Sequence, residues 1–272
     1  DKVEFIDQNN GFATGYNGVV IKTTNGGVTW TTGNSGSTTW FHSLSFLDVS
    51  SICLIGEFGE IVKTSNQGQT WFNVSQGDNS PLKSVSFFNS GSGYAVGDFG
   101  TILKTTNLGN TWMRLSTGTI NLLQGLAFID EDTMYVCGDA GTILKSTNAG
   151  ASWTTLPTGV ETWLFSIHFT GAGTGYAAGY FGTILKTTNF GLTWSELTSG
   201  TNSQINQILF TSQNTGYFAG GDDYGGSGII CKTTDGGATW VSKFNQAEQM
   251  IHSIHFINNN IVYARSGTAG GY

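Results

Sequence analysis

Apolar and polar residues alternate in short runs along this chain, and glycine separates the runs. Residues 82–118 are typical and read LKSVSFFNSGSGYAVGDFGTILKTTNLGNTWMRLSTG. In SVSF, Val85 and Phe87 share one face while Ser84 and Ser86 share the other. GYAVG, TILKTT and TWMRL follow, giving four short segments, A to D. Period-two alternation bounded by turn residues is the mark of β-strands. No segment has helical period, and glycine at this density disfavours helices by about 1 kcal/mol per residue.

The pattern recurs. Trp30, Trp71, Trp112, Trp153, Trp194 and Trp240 are separated by four steps of 41 residues and a fifth of 46. Phe5, Phe46, Phe87, Phe128, Phe169, Phe210 and Phe256 repeat the step of 41 five times, then 46. The extra residues lie in Gly220–Gly228, GGDDYGGSG. Four strands per repeat of this length predict the blades of a β-propeller. The expected fold is one all-β propeller domain over 1–272, with repeats at about 5–45, 46–86, 87–127, 128–168, 169–209 and 210–255 and a partial repeat at 256–272. Six complete A-to-D units plus an A–B half from Met250 to Gly267 predict a seven-bladed propeller, its last blade incomplete in this chain. On strand A the face opposite the large residues is mostly small, but Glu4, His168 and His255 interrupt it. Glu4 and His255 are expected on adjacent strands, either both facing a water-filled central channel or paired, with the carboxylate holding the imidazole charged, and His168 is expected to be satisfied by water or backbone.

Between strands C and D each repeat carries an eight-residue turn: TTNGGVTW, TSNQGQTW, TTNLGNTW, STNAGASW, TTNFGLTW and TTDGGATW. Asn25, Asn66, Asn107, Asn148, Asn189 and Asp235 can fold a side-chain oxygen onto turn amides. The following glycine permits positive φ. Trp30, Trp71, Trp112, Trp153, Trp194 and Trp240 act as apolar wedges. The motif resembles the Asp-box, or BNR repeat, and is structural in the families that carry it. With G-Y-A-x-G-x-x-G-x-I-x-K-T, the chain is similar to the photosystem II stability/assembly factor-like propellers. That resemblance implies a seven-bladed interaction protein. The photosynthetic members carry an Arg-rich patch, whereas this chain has only Arg114 and Arg265, so their role is not carried over. Sialidases also use Asp-boxes, but their three-arginine clamp is missing here, and lysine does not replace bidentate arginine.

Charge narrows the function further. Eleven basic residues face 18 acidic ones, for a net charge of −7, which excludes a non-specific nucleic-acid binder. No apolar run approaches the ~18 residues of a membrane span. Cys53, Cys137 and Cys231 share no metal-ligand spacing, and metalloprotease and P-loop motifs are absent, so no metal or cofactor is expected. Lys22, Lys63, Lys104, Lys145, Lys186 and Lys232 recur before the Asp-boxes and are expected to be solvated. The chain opens at Asp1 inside a strand, which suggests a processed or truncated start. A surface of Thr, Ser, Asn and Gly suggests an extracellular or cell-surface location, the periplasm included.

In an up-and-down blade the B–C turns and D–A loops leave by the face opposite the Asp-boxes. Here they carry Tyr16, Glu57, Phe58, Asp98, Phe99, Tyr180, Phe181, Asp222, Asp223 and Tyr224, together with Trp40 and Trp163. Aromatics beside acids suit proteins or sugars. The expected function is a non-catalytic interaction or scaffold module with a protein partner. The alternative is a glycan-binding or glycoside-hydrolase-like propeller using the same face.

Overall fold

A computed structural model describes residues 2–88, 90–171, 173–222, 227–247, 250–258 and 261–267. Six four-stranded antiparallel sheets follow one another in sequence, each a meander in strand order A-B-C-D. In the third, Leu82–Phe87, Gly93–Gly97, Thr101–Thr105 and Met113–Leu115 are strands A to D. Met250–Asn258 and Ile261–Gly267 form a separate two-stranded sheet. The expected half repeat is therefore a strand pair, but the count of seven is corrected to six blades. Among the described residues no C or D strand follows Ile261–Gly267 to complete another four-stranded blade.

The repeated Gly-Tyr/Phe at the start of strand B has a packing cause. Gly93 pairs with Phe87 across strands A and B, and a Cβ on Gly93 would lie 2.4 Å from the Phe87 ring. Phe87 then meets the Asp-box Trp112 edge to face, at a centroid distance of 5.7 Å. Edge-to-face packing adds to simple burial for such pairs.

The chain groups into two compact units, Asp1–Leu123 with His255–Tyr263, and Gln124–Ile254 with Ala264–Tyr272. In the first unit, Cys53, Ile55 and Ile61 of blade 2 pack on Leu82, Val85, Ala95 and Leu103 of blade 3. In the second, Tyr135, Cys137 and Ile143 of blade 4 pack on Leu164, Ile167, Ala177 and Leu185 of blade 5. Apolar faces thus close between consecutive blades, as period-two strands require. Burial pushes the Cys53 and Cys137 thiols up to about 12, so both act as small apolar residues.

Each Asp-box closes by the same bonds. Thr23 Oγ1 accepts the Gly27 amide at 2.9 Å and donates to Asn25 Oδ1 at 3.0 Å. Asn25 Oδ1 also accepts the Thr29 amide at 2.9 Å, while Asn25 Nδ2 donates to Thr29 Oγ1 at 2.8 Å. At the single aspartate the last bond reverses, and Thr239 Oγ1 donates to Asp235 Oδ2 at 2.6 Å. Those hydrogen bonds from Thr239 hold the Asp235 carboxyl at about 2.

Four of the lysines before the boxes also act as braces, which adds bonding to the expected solvated side chains. In the first unit, Lys22 Nζ donates to Gln67 Oε1 at 3.1 Å and Lys63 Nζ to Asn110 Oδ1 at 2.9 Å, each in the next repeat's box. In the second, Lys145 Nζ donates to the Phe190 carbonyl at 3.2 Å and Lys186 Nζ to the Gly236 carbonyl at 2.8 Å. Lys186 also lies 5.4 Å over the Tyr176 ring, whose hydroxyl donates to the same Gly236 carbonyl at 2.9 Å. A cation over an aromatic face is stabilised even when partly solvated.

Strand A carries the three interrupting residues. Burial, opposed by Lys2 and by a bond from the Phe46 backbone, raises Glu4 to about 7. Burial and then Lys2 push His255 down to about 4, and its ring packs 6.1 Å from Phe5. The imidazole is therefore neutral at pH 7, which corrects the paired reading in which Glu4 holds His255 charged; burial sets its state. In the second unit, burial lowers His168, a backbone bond to Phe210 opposes that shift, and the ring stacks on Phe210. The backbone thus satisfies His168 as expected. No described helix is long and apolar enough to cross a membrane.

Candidate functional site

The B–C turns share one local geometry. Asn17, Phe58, Phe99, Ala140 and Phe181 have φ of 49° to 57°, and each precedes a glycine at φ of 64° to 68°. The glycine is required because the D–A loop lies against it. A Cβ on Gly59 would sit 1.6 Å from the Asp78 carbonyl oxygen. Turn and loop are also bonded, with the Gly100 amide donating to the Asn121 carbonyl at 3.0 Å. The preceding residue has no such steric reason to be aromatic, and bulky side chains disfavour positive φ. Yet Phe58, Phe99 and Phe181 stand there with 73%, 66% and 76% of their surface exposed.

In the first unit the turns meet a charged knot. Glu57 Oε1 accepts from His42 Nε2 at 2.6 Å and from Lys83 Nζ at 3.1 Å. Lys83 Nζ also lies 4.0 Å from Asp98 Oδ1. Burial works against ionising Glu57, but bonds from His42 and Lys83 outweigh it and hold the carboxyl below its ordinary value. Burial, then Lys83, lowers His42 despite the Glu57 contact. Beside the knot, the Trp40 ring lies 4.8 Å from His42 and 5.4 Å from Tyr16. Next to Phe99 a groove of about 490 Å³ is lined by Arg114, Leu115, Thr117, Thr119 and Ile120. Arg114 is paired with Asp78 and donates to the Phe99 carbonyl at 3.2 Å.

In the second unit the same repeat positions carry rings. Trp163 packs on Tyr180 at 5.7 Å, Phe165 on Tyr180 at 4.9 Å, and Tyr180 on Phe181 at 5.8 Å. Tyr16, Glu57, Phe58, Asp98, Phe99, Tyr180 and Phe181 thus occupy B–C turns as expected, with Trp40 and Trp163 in D–A loops. Asp222 is exposed, whereas Asp223 and Tyr224 lie outside the described residues. Sequence reasoning missed His42, Lys83 and the Arg114–Asp78 pair. Among the described residues no cluster of three or more His, Cys, Asp or Glu side chains could hold a metal ion.

Comparison with known proteins follows this geometry. The profile of the photosynthesis system II assembly factor YCF48 family matches residues 1–120. A structure of YCF48 bound to D1 peptide is 20% identical, with a TM-score of 0.80, covering 98% of this chain and 88% of that one. YCF48 from Cyanidioschyzon merolae is 17% identical, with a TM-score of 0.80, covering 98% and 92%. The GH74 xyloglucanase from Xanthomonas campestris is 12% identical, with a TM-score of 0.70, covering 89% of this chain but 45% of that one. At such identities the likeness shows the fold alone. A search of curated proteins returns no match to this chain. The extracellular or cell-surface expectation is corrected: the matching family is that of a photosynthesis system II assembly factor, which gives it no support.

Proposed function

Starting from a BNR-type β-propeller that resembles the photosystem II assembly factors, we propose that this chain is a non-catalytic interaction module whose B–C turns and D–A loops take a polypeptide partner. One observation carries the reading. Phe58, Phe99 and Phe181 stay exposed in a backbone conformation that bulky residues avoid. Such outliers cost about 1–3 kcal/mol each and concentrate at functional positions. Exposed aromatics are the usual anchors of protein interfaces. The peptide held by one YCF48 structure supports a polypeptide over a sugar as the occupant.

The experiment selects peptides from a displayed library on the wild-type chain. Binding is then measured on the triple variant Phe58→Asn, Phe99→Asn, Phe181→Asn. Asparagine tolerates positive φ, and Asn17 already holds this position in the first repeat. The expected result is at least tenfold weaker binding with an unchanged fold. Equal binding overturns the reading, and release of reducing sugar from xyloglucan overturns its non-catalytic half.

A further inference from the structure

The groove beside Phe99 and the knot around Glu57 lie at the same end of blades 2 and 3, within one unit. We propose that this end receives an extended cationic polypeptide segment. An apolar side chain would enter the groove between Phe99 and Ile120, and an adjacent Arg or Lys would lie against the exposed Phe rings beside Glu57 and Asp98. The inference rests on the polypeptide-binding reading and adds the chemistry of the partner.

Three features fix the partner's character. First, two apolar side chains stand out of a mostly polar groove: Ile120 is 83% exposed and Phe99 66% exposed, beside a volume of about 490 Å³. Exposed apolar side chains rimmed by polar residues suit an interaction site. Second, Arg114 is engaged by Asp78 and the Phe99 carbonyl, so the groove offers no uncommitted guanidinium to an anionic segment. Third, the knot gathers carboxylates. Glu57 and Asp98 both lie within 4.0 Å of the Lys83 ammonium, and burial, then Lys83, lowers His42. The strand-C lysines of these blades, Lys63 and Lys104, sit at the opposite, Asp-box end of their strands. In blades 2 and 3 the acidic, aromatic turns therefore lie at the end away from these lysines. A cation reaching the acidic end gains from the carboxylates and from the ring faces together.

The test uses three labelled eight-residue synthetic peptides alternating Leu with Arg, Leu with Ser, or Leu with Glu, titrated onto the full chain by fluorescence anisotropy. The Leu–Arg peptide is expected to bind at least tenfold tighter than the Leu–Ser peptide at 50 mM salt, the advantage shrinking at 500 mM as screening grows. Phe99→Asn with Ile120→Ser should weaken it at least fivefold, while Leu192→Ser, at an exposed Asp-box turn of the other unit, leaves it unchanged. Leu–Arg binding indifferent to Phe99→Asn with Ile120→Ser is bulk attraction to an acidic protein and overturns the inference. Leu–Ser or Leu–Glu binding as tight as Leu–Arg, and lost in that same variant, overturns the cationic partner but leaves the polypeptide reading standing. Binding of none of the three overturns both.

Discussion

Blades 2 and 5 solve one problem with two chemistries. The second residue of strand A meets the first residue of the B–C turn, and a tryptophan from the D–A loop lies alongside. In blade 2 these are His42, Glu57 and Trp40; in blade 5 they are Phe165, Tyr180 and Trp163. The next blade supplies Lys83 in the first case; in the second the equivalent Asn206 donates instead to the Ile251 carbonyl. The backbone turn is the same, with Phe58 at φ 57° and Phe181 at φ 56°. The scaffold therefore sets where a contact is made and leaves its chemistry free to change from an ion triad to a ring stack.

The shared scaffold gives the largest expected effect. Gly59→Ala and Gly182→Ala should each destabilise by about 3 kcal/mol or more, since a Cβ meets a D–A carbonyl within 2 Å at positive φ. Gly77→Ala, also at positive φ but with open space around it, should cost only about 1 kcal/mol. Urea midpoints check all three, and equal losses would show that the turn and loop do not depend on each other.

The difference in chemistry gives the next effect. Glu57→Ala strands Lys83 against His42 and should cost about 2 kcal/mol, allowing for partial exposure. The triple change His42→Phe, Glu57→Tyr, Lys83→Asn writes blade 5's solution into blade 2 and should stay within about 1 kcal/mol of wild type. A triple variant worse than Glu57→Ala would mean that the two chemistries are not interchangeable.

A third comparison concerns pH. Glu4, raised to about 7, gives stability that is full below its ordinary value near 4.5 and is lost as pH rises to 7. His255, lowered to about 4, does the reverse, and its contribution is lost as pH falls from 6.5 to 4. In the first unit the two slopes oppose each other. In the second, His168 is lowered, and leucine and alanine hold the matching positions of the neighbouring repeats at Leu209 and Ala127. Glu4→Gln should therefore uncover about 1–2 kcal/mol of acid-side loss that His255→Asn reverses in sign. Urea midpoints from pH 4 to 7 measure it, and parallel profiles for the two variants would refute the opposition.

The smallest effect tests the Asp-boxes. Asn66→Asp and Asp235→Asn should each change stability by less than about 0.5 kcal/mol at pH 7, because the threonine hydroxyl reverses its donation and every other bond is kept. Thermal melts check this, and a larger loss would make the side chain's charge part of the turn's stability.

Much of this architecture is legible in the chain. The recurring Trp and Phe locate strands A to D, and the Thr, Asn and Gly of each box announce the bonds that form. The turn residues Glu57, Phe58, Asp98 and Phe99 are legible as one exposed end because alternation fixes which way each turn leaves the sheet. His42 and Lys83 are hidden because their column reads His42, Lys83, Gln124, Phe165, Asn206 and His252, where only histidine occurs twice and no type prevails. That variability, on a strand otherwise small or apolar, is the signal that could have found them. The lysine braces stay hidden for another reason. Their acceptors are carbonyls and amides of the next repeat, which sequence spacing does not reveal.

Those braces give the blade series a direction. Lys145 and Lys186 each reach forward to the turn of the following repeat, as Lys22 and Lys63 do in the other unit. Within each unit these repeats overlap like roof tiles, blades 1 and 2 resting on the blade after them in one, blades 4 and 5 in the other. Loss of a later repeat strips a clasp from its predecessor, whereas loss of the earlier one leaves the later turn's own bonds whole. In a nearest-neighbour array such coupling is one-sided. Fraying that begins late in the chain therefore travels backward more readily than fraying that begins early travels forward.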